Sequence, residues 1–235
     1  MGKQLQQYTM NKDLGWEVAT DQIDNCHAIN KFGYNAQVGS DWETVWDGNN
    51  AYTYIDTAST AQVTSSDTDD NGGTVLVSGL DADFAEVSET LTIGGSAGVQ
   101  LFYRIHRAQM VTATTGQENQ GTVTVTCDSK SAAIISPQIG QTLMAIYTVP
   151  RGYRAYVVQL DVGCAKDQEH HIRLVSKTNG GVWNTKALLT QRGGFADLDF
   201  KVPLAFSAES DIEVKVKASA TSAVSAGFEI IFVKD

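Results

Sequence analysis

The segment TLMAIYTVPRGYRAYVVQLDVG at residues 142–163 decides the fold class of this chain. Its β-branched and aromatic residues predict two strands, and Pro150 and Gly152 predict a tight turn that joins them as a hairpin. In the first strand, apolar side chains occur on both faces, at 143, 145, 147 and 149 and at 144 and 146. Such a strand is covered on both sides, here by a second sheet and by a neighbouring subunit.

Composition places the chain among globular β proteins. Its 235 residues are 42% hydrophobic, which is enough for one large β domain or two smaller ones. No apolar run approaches the roughly 20 residues of a membrane helix, so we expect no membrane insertion. The polar N-terminus does not resemble a signal peptide, and Cys26, Cys127 and Cys164 are too far apart for a metal motif. We therefore expect reduced thiols and synthesis in a cytoplasm.

Charge is distributed unevenly along the chain. Residues 1–127 hold 16 acidic and 5 basic residues, whereas residues 128–235 hold 11 acidic and 12 basic residues. Between Lys31 and Arg104 there is no lysine or arginine at all. An acidic surface of this kind repels phosphate backbones, so we expect no nucleic-acid partner. The change in charge near residue 128 also predicts a domain boundary.

The spacing of the strands predicts an all-β fold with three parts. Residues 1–47 form an extended N-terminal arm with one short helical turn, which the capping pattern Ser40 to Glu43 begins. Residues 48–128 form a small, acidic, antiparallel β-sandwich. Residues 129–235 form an eight-stranded jelly-roll-like sandwich. Its predicted strands are 132–136, 142–149, 153–163, 169–177, 182–189, 196–206, 211–218 and 224–234.

The arm carries large apolar side chains without the period of a helix or a strand. We interpret these side chains as anchors that dock on a partner, because an arm cannot bury them in a core of its own. The predicted partner-docking residues are Tyr8, Trp16, Ile23, Ile29, Phe32, Tyr34, Trp42 and Trp46. For Trp42 and Trp46 the alternative, which we favour, is a plug at one end of the first sandwich.

Two further patterns suggest ligands. Asp67, Asp69 and Asn71, followed by Gly72, match the opening of a calcium loop, but the twelfth position is a serine and the flanking segments are strands. A solvated turn is the alternative to calcium, and no other cofactor is expected. Trp183 and Asn184, after two glycines, are the best candidates for a glycan site.

The sequence contains none of the motifs that mark catalysis. There is no nucleophile elbow, phosphate loop, dinucleotide fingerprint or zinc-protease motif. His170 and His171 are adjacent on a predicted strand, so they point to opposite faces and cannot hold one ion together. We therefore expect a protein that is not an enzyme.

Several segments together resemble a family of virion structural proteins of marine tailed bacteriophages. They are FGYN at 32–35, VWDGNNAYTY at 45–54, VSGLD at 77–81, GQTLMAIYTVP at 140–150 and SAGFE at 225–229. The segments occur in the same order along nearly the whole chain. No single segment is diagnostic, because each consists of residues that are common in turns and strands. It implies a particle component without catalytic residues, which would be located in the virion.

The resemblance and the arm lead to one main hypothesis and two alternatives. The main hypothesis is a capsid-decorating or head-fibre subunit anchored by its arm to the major capsid protein or to tail or fibre proteins. The alternatives are a tail fibre or adaptor that takes part in host attachment, and a free lectin-like module that binds a host surface glycan. Apolar residues on both faces of 142–149 and of 228–233 further predict a homotrimer or another cyclic homo-oligomer.

Overall fold

The computed structural model describes residues 14–235, and the predicted docking residue Tyr8 lies outside them. The regular secondary structure of the described residues is almost entirely antiparallel strand, which confirms the all-β sandwich class. The elements in chain order are α1 (Leu14–Ala19), β1 (Cys26–Val38), β2 (Glu43–Thr44), β3 (Ser59–Ser65), a 3-10 turn (Thr68–Asp70), β4 (Thr74–Leu80), β5 (Glu86–Thr92), β6 (Leu101–Phe102), β7 (Arg104–Thr112), β8 (Val123–Cys127), β9 (Lys130–Ile135), β10 (Ile146–Thr148), β11 (Tyr153–Thr178), β12 (Asn184–Phe206), β13 (Ser210–Ala218) and β14 (Ser222–Lys234).

The smaller part of the molecule, here the small unit, contains two antiparallel sheets. One has the strand order β6-β3-β8-β9 and the other has the order β5-β4-β7. Alternate residues of these strands are buried, as in β4, where Val75 and Val77 face the inside while Leu76 is half-buried. These inward side chains form one core with Trp46, Tyr52 and Phe102.

The larger part is a seven-stranded sheet. Its order is β1-β14-β11-β13-β10, with β12 beside β11 and β2 beside β13. The first half of β11 pairs with β14 and its second half with β13, while β12 accompanies both halves. Between the halves, residues 165–168 form a bulge, because Cys164 pairs with Gly194 and Glu169 with Arg192. Inward side chains of both halves meet in one large core.

The number of strands after residue 129 differs from the prediction. The chain forms six strands there, not eight, because residues 153–178 and 184–206 each run as one long strand. Polar residues and glycines that interrupt the apolar pattern predict turns, but in the structure they lie within continuous strands whose pairing shifts register at these points. Gly193 and Gly194 take positive φ angles of 58° and 71° within β12, opposite the bulge of β11.

The predicted hairpin of 142–149 with 153–163 is wrong. β10 pairs with β13, and β13 lies between β10 and β11 in the sheet. The turn at Pro150 to Gly152 is present, with Gly152 at φ 85°, but it joins strands that are not neighbours. Turn residues predict a reversal of the chain, whereas the pairing depends on which strand fills the gap, here β13.

The first part of the chain is not an arm as far as residue 47. β1 pairs with β14 from Cys26 to Val38, so it belongs to the large sheet. The predicted helical turn after Ser40 is absent, because Glu43 and Thr44 form β2 and the Glu43 carboxylate accepts the Gly39 N–H at 3.2 Å. The side chain that fits a capping box therefore satisfies a donor outside any helix.

The boundary predicted at residues 128 and 129 falls inside the β8–β9 hairpin. β9 pairs with β8, and its residues Ala132, Ala133 and Ile135 belong to the small core. The chain passes between the cores in two other places. Val45 is in the large core and Trp46 in the small one, and the same change occurs between neighbouring residues of 144–147.

The double-sided apolar pattern of 142–149 has an explanation within one chain. Ala145, Tyr147 and Val149 pack in the large core, while Met144 and Ile146 pack in the small core. Both faces are therefore covered without a neighbouring subunit. One of the two segments that motivated the predicted trimer, 142–149, thus needs no second copy, and the trimer itself stays a prediction.

Candidate functional site

The outer face of the large sheet carries a shallow trough. Two neighbouring rows of side chains cross β1, β14, β11 and β12 on the face opposite the large core. The first row is Tyr34, Ser225, Gly163 and Phe195, and the second is Phe32, Gly227, Asp161 and Asp197. The cavity above these rows has a volume of about 410 Å³. Small residues in the two middle strands form its floor, and aromatic residues in the outer strands form its walls.

The walls of the trough are exposed aromatic rings. The exposed fractions are 42% for Phe32, 39% for Tyr34 and 68% for Phe195. Three strand spacings separate β1 from β12, so the two walls are about 14 Å apart between Cα atoms. At the floor, a Cβ on Gly163 would lie 2.7 Å from the Ser225 Oγ, so glycine keeps the trough open. Exposed aromatic rings around one concave surface indicate a place where another molecule binds.

One end of the trough is acidic. The Gln159 amide donates to Asp161 Oδ1 and to Asp197 Oδ1, both at 3.0 Å. Burial raises the pKa of Asp161, and the neighbouring carboxylates of Asp197 and Asp199 raise it further. The trough therefore offers carboxylate acceptors in the row that contains Asp161 and aromatic rings along both outer strands.

The predicted docking residues separate into two groups. Trp16 on α1 is 66% exposed, and Phe32 and Tyr34 line the trough, so these three are accessible. Ile23 is half-buried, and Ile29 packs partly against the large core.

Trp42 and Trp46 have contacts within the chain. The Trp42 ring lies 4.0 Å from Arg173 Cζ and 5.2 Å from Lys217 Nζ. Trp46 is buried in the small core, and its Nε1 donates to the Asn50 carbonyl oxygen at 2.9 Å. The alternative interpretation, a plug at one end of the first sandwich, therefore fits Trp46 in the small core but not Trp42, which contacts the large sheet.

A buried ionic network joins the two cores. Arg104 of the small unit donates two parallel hydrogen bonds to Asp211 of the large sheet, with Nε to Oδ1 at 2.8 Å and Nη2 to Oδ2 at 3.1 Å. The Thr148 hydroxyl donates to the same carboxylate at 2.7 Å. The two side chains are 6% and 0% exposed. Burial opposes the charge on Arg104, but the contact with Asp211 raises its pKa overall.

The network continues to the predicted glycan residue Trp183. Glu213 is fully buried, accepts the Thr44 hydroxyl and lies 3.5 Å from Lys215 Nζ. Burial raises the pKa of Glu213, and Lys215 opposes this effect. Lys215 and Lys177 lie 5.3 Å and 5.0 Å from the Trp183 ring centroid. Trp183 thus covers this network.

Asn184, the other glycan candidate, contacts its own loop. Its side-chain amide donates to the Val182 carbonyl oxygen at 3.0 Å. The exposed rings of the trough, and not Trp183, face an open concave surface. The structure therefore places the two predicted glycan residues beside each other but not among the residues that line the trough.

The predicted calcium loop is held by a different residue. Asp67 caps the 3-10 turn, because its Oδ1 accepts the Asp69 N–H at 3.0 Å. Asp69 and Asn71 are exposed. Asp70, which the calcium pattern passes over, is buried and accepts the N–H groups of Gln120 at 2.7 Å and Gly121 at 2.9 Å. Calcium binding by this loop stays a prediction.

Residues 14–235 contain neither a metal-binding cluster nor a membrane-spanning helix. No group of three His, Cys, Asp or Glu in residues 14–235 is arranged to hold a metal ion. Within the same range, no helix is long and apolar enough to cross a membrane. Cys26, Cys127 and Cys164 form no disulfide with one another.

Sequence analysis does not single out Arg104 and Asp211, which form the buried ionic network, or Phe195, which lines the trough. A signal for Arg104 was present, because it is the first basic residue after a long stretch that has none. No such signal exists for Phe195, whose exposure depends on the position of β12 at the side of the sheet. Asp211 is one of many acidic residues in strands.

Comparison with known proteins identifies no family for the chain. No protein-family model matches, and no curated protein matches. Among solved structures, a chain from infectious bursal disease virus, Gx strain, is 9% identical, with 91% of this chain and 74% of that chain covered, at a TM-score of 0.26. A bacterial lipoprotein from Bacteroides thetaiotaomicron is 9% identical, with 88% and 95% covered, at a TM-score of 0.20. Likeness at these TM-scores carries no argument about function.

Proposed function

We propose that this protein is a non-enzymatic structural subunit of a bacteriophage particle, which decorates the capsid or projects from it as a head fibre or knob. The proposal joins the resemblance of its segments to virion proteins with one structural observation. That observation is the exposed aromatic face formed by Phe32, Tyr34 and Phe195 at the trough. A monomeric protein seldom leaves such a surface in water unless another molecule covers it.

The aromatic face has the properties of a docking surface. Burying one large apolar side chain completely contributes about 1.5–3 kcal/mol. Several such side chains together outweigh the loss of freedom on association, provided that the partner is large and repeated, as a capsid is. Two of the three rings belong to β1, which is part of the residues 1–47 for which the sequence predicts an anchoring arm. The large sheet holds these rings at fixed spacing before the partner arrives.

Incorporation into particles tests this proposal. The variant Phe32→Ser with Tyr34→Ser changes two outward side chains of β1 and leaves the core intact. We expect this variant to fold and to be missing from purified particles when it replaces the natural protein during infection. The matched control is Val99→Ser with Val111→Ser, which removes two exposed apolar side chains from the small unit.

Normal incorporation of the β1 variant would contradict docking through the trough. A deletion of residues 1–39 is a poor test, because it would remove β1 from its pairing with β14 and expose the large core.

Electron microscopy of labelled particles distinguishes a position on the head from one on the tail, which is the nearest alternative. Sedimentation of the purified protein tests the predicted homo-oligomer.

A glycan-binding function is the second candidate. For this function we favour the trough as the binding site over the surface around Trp183. Aromatic rings that stack on sugar faces and carboxylate or amide groups that bind hydroxyls are present in one concavity. Under this hypothesis, Phe195→Ala abolishes binding to a glycan array and Trp183→Ala leaves it unchanged. If neither variant differs from the natural protein, or if no glycan binds, this candidate fails.

A further inference from the structure

A second cavity lies at the junction between the two cores. Its volume is about 190 Å³. It lies between the large sheet, through β1 and β10, and the small unit, through β4, β5 and β7. The polar and aromatic residues that line it include Lys31, Ser78, Glu86, His106, Arg107, Gln141, Thr142 and Tyr147.

Lys31 is a buried cation on the wall of this cavity. Its side chain is 9% exposed, and its Nζ donates to the His106 carbonyl oxygen at 2.5 Å. No acidic side chain of residues 14–235 lies within ion-pair distance of it. An ammonium group has three donors and loses much hydration free energy when it is buried without a counter-charge.

Arg107 adds a second positive charge near Lys31. Burial and, to a smaller extent, the Arg107 guanidinium together lower the pKa of Lys31 to about 7. Burial, Lys31 and Arg107 together lower the pKa of His106 to about 3. The buried His106 Nδ1 also has no hydrogen-bond partner within the described chain. The cavity is therefore lined by two cationic side chains, Lys31 and Arg107, that form no ion pair within residues 14–235.

Glu86 and Arg107 complete the electrostatic description of the site. Glu86 also lines the cavity, but it is exposed and forms no ion pair with Lys31 or Arg107 in the described chain. Arg107 Nη2 donates to Gln141 Oε1 at 2.8 Å, and Gln141 lines the cavity too. This bond holds the guanidinium beside the cavity.

We propose that this cavity binds a small oxyanion, a phosphate or a carboxylate group, between Lys31 and Arg107. A guanidinium and an ammonium are the side chains that proteins use for such groups. Water occupies about 30 Å³ per molecule in the liquid, so the cavity has room for a compact anion. A bound anion would connect β1 of the large sheet to β7 of the small unit.

Calorimetric titration of the full chain with sodium phosphate, and separately with sodium acetate, tests this proposal. The titration is done in sodium chloride at constant ionic strength and at about pH 6, below the pKa of Lys31. We expect saturable binding at one site. Lys31→Met and Arg107→Gln should each weaken it by more than about tenfold, since each removes a charge-assisted hydrogen bond. Lys186→Met, at an exposed lysine of β12, should change nothing.

The two anions distinguish the sources of the oxyanion. Binding of acetate alone indicates a carboxylate ligand, and binding of phosphate indicates a phosphate group. Absence of saturable binding for both anions overturns the proposal, as does unchanged affinity in Arg107→Gln and Lys31→Met. Arg107 is exposed, so its variant should fold and decide the question even if Lys31→Met does not fold.

Discussion

Lys31 and Arg104 are two buried cations at the same junction, but they have opposite surroundings. The charge of Arg104 is compensated, because the Asp211 carboxylate accepts two of its hydrogen bonds. The Thr148 hydroxyl donates a further hydrogen bond to the same carboxylate. Lys31 has a carbonyl oxygen and a neighbouring arginine. Burial of a charge is tolerated where a partner replaces water, and elsewhere the charged form is disfavoured. The first arrangement suits a permanent joint, and the second suits a site that a ligand completes.

The largest expected effect comes from removing the partner of Arg104. Asp211→Asn leaves the guanidinium buried without a counter-charge, so the free energy of unfolding should fall by about 3–5 kcal/mol. Urea denaturation measures this change. Asp199→Asn, at an exposed carboxylate of β12, is the control and should stay within about 0.5 kcal/mol of the natural protein. Equal effects for the two variants would mean that Arg104 keeps access to water.

The pH dependence of stability isolates Lys31. Its pKa is 10.5 when unfolded and about 7 when folded, so between these values the unfolded state binds a proton that the folded state lacks. Stability therefore rises with pH in this window. From pH 7 to pH 9, the natural protein should gain roughly 2 kcal/mol relative to Lys31→Met in chloride buffers. Parallel curves for the two proteins would show that Lys31 is already compensated.

Asp70 extends the comparison to a buried anion that hydrogen-bond donors compensate. Each of its carboxylate oxygens accepts one backbone N–H, so either orientation of the amide in Asp70→Asn directs an NH₂ group at a donor. We expect a loss of about 1–3 kcal/mol in the free energy of unfolding. Asp69→Asn, at the exposed neighbour, should have little effect.

Burial opposes ionisation of Asp70, but its hydrogen bonds lower its pKa overall. The contribution of Asp70 to the free energy of unfolding is therefore lost as pH falls below the usual pKa of 3.8.

A comparison of melting temperatures with and without a chelator tests calcium binding by this loop. Calcium binding predicts a lower melting temperature with a chelator, and Asp69→Asn should remove that difference. Identical melting with and without a chelator would leave the loop as a turn that Asp70 holds.

The smallest expected effect is at the edge of the Arg104 network. Trp183→Ala removes the ring beside Lys177 and Lys215, which are partly exposed. We expect a loss of about 0.5–1 kcal/mol, as for cation–π contacts near a surface. A loss as large as that of Asp211→Asn would show that the ring excludes water from the buried pair.

The sequence by itself determined the local features of this protein. Alternating apolar residues predicted strands and the all-β class, because the period of a strand depends only on neighbouring residues. The turn at Gly152 was predicted for the same kind of reason. The gap in basic residues between Lys31 and Arg104 was visible too, although its meaning was not.

Only the tertiary structure decided which strands pair and which charges meet. β13 separates β10 from β11, and a bulge replaces a predicted turn in β11, because pairing is settled by contacts between residues far apart in sequence. The same strand, 142–149, suggested a subunit interface until both cores were seen to cover it. Lys31 and Arg104 are chemically alike in the sequence, and they differ because only one of them meets a carboxylate from a distant strand.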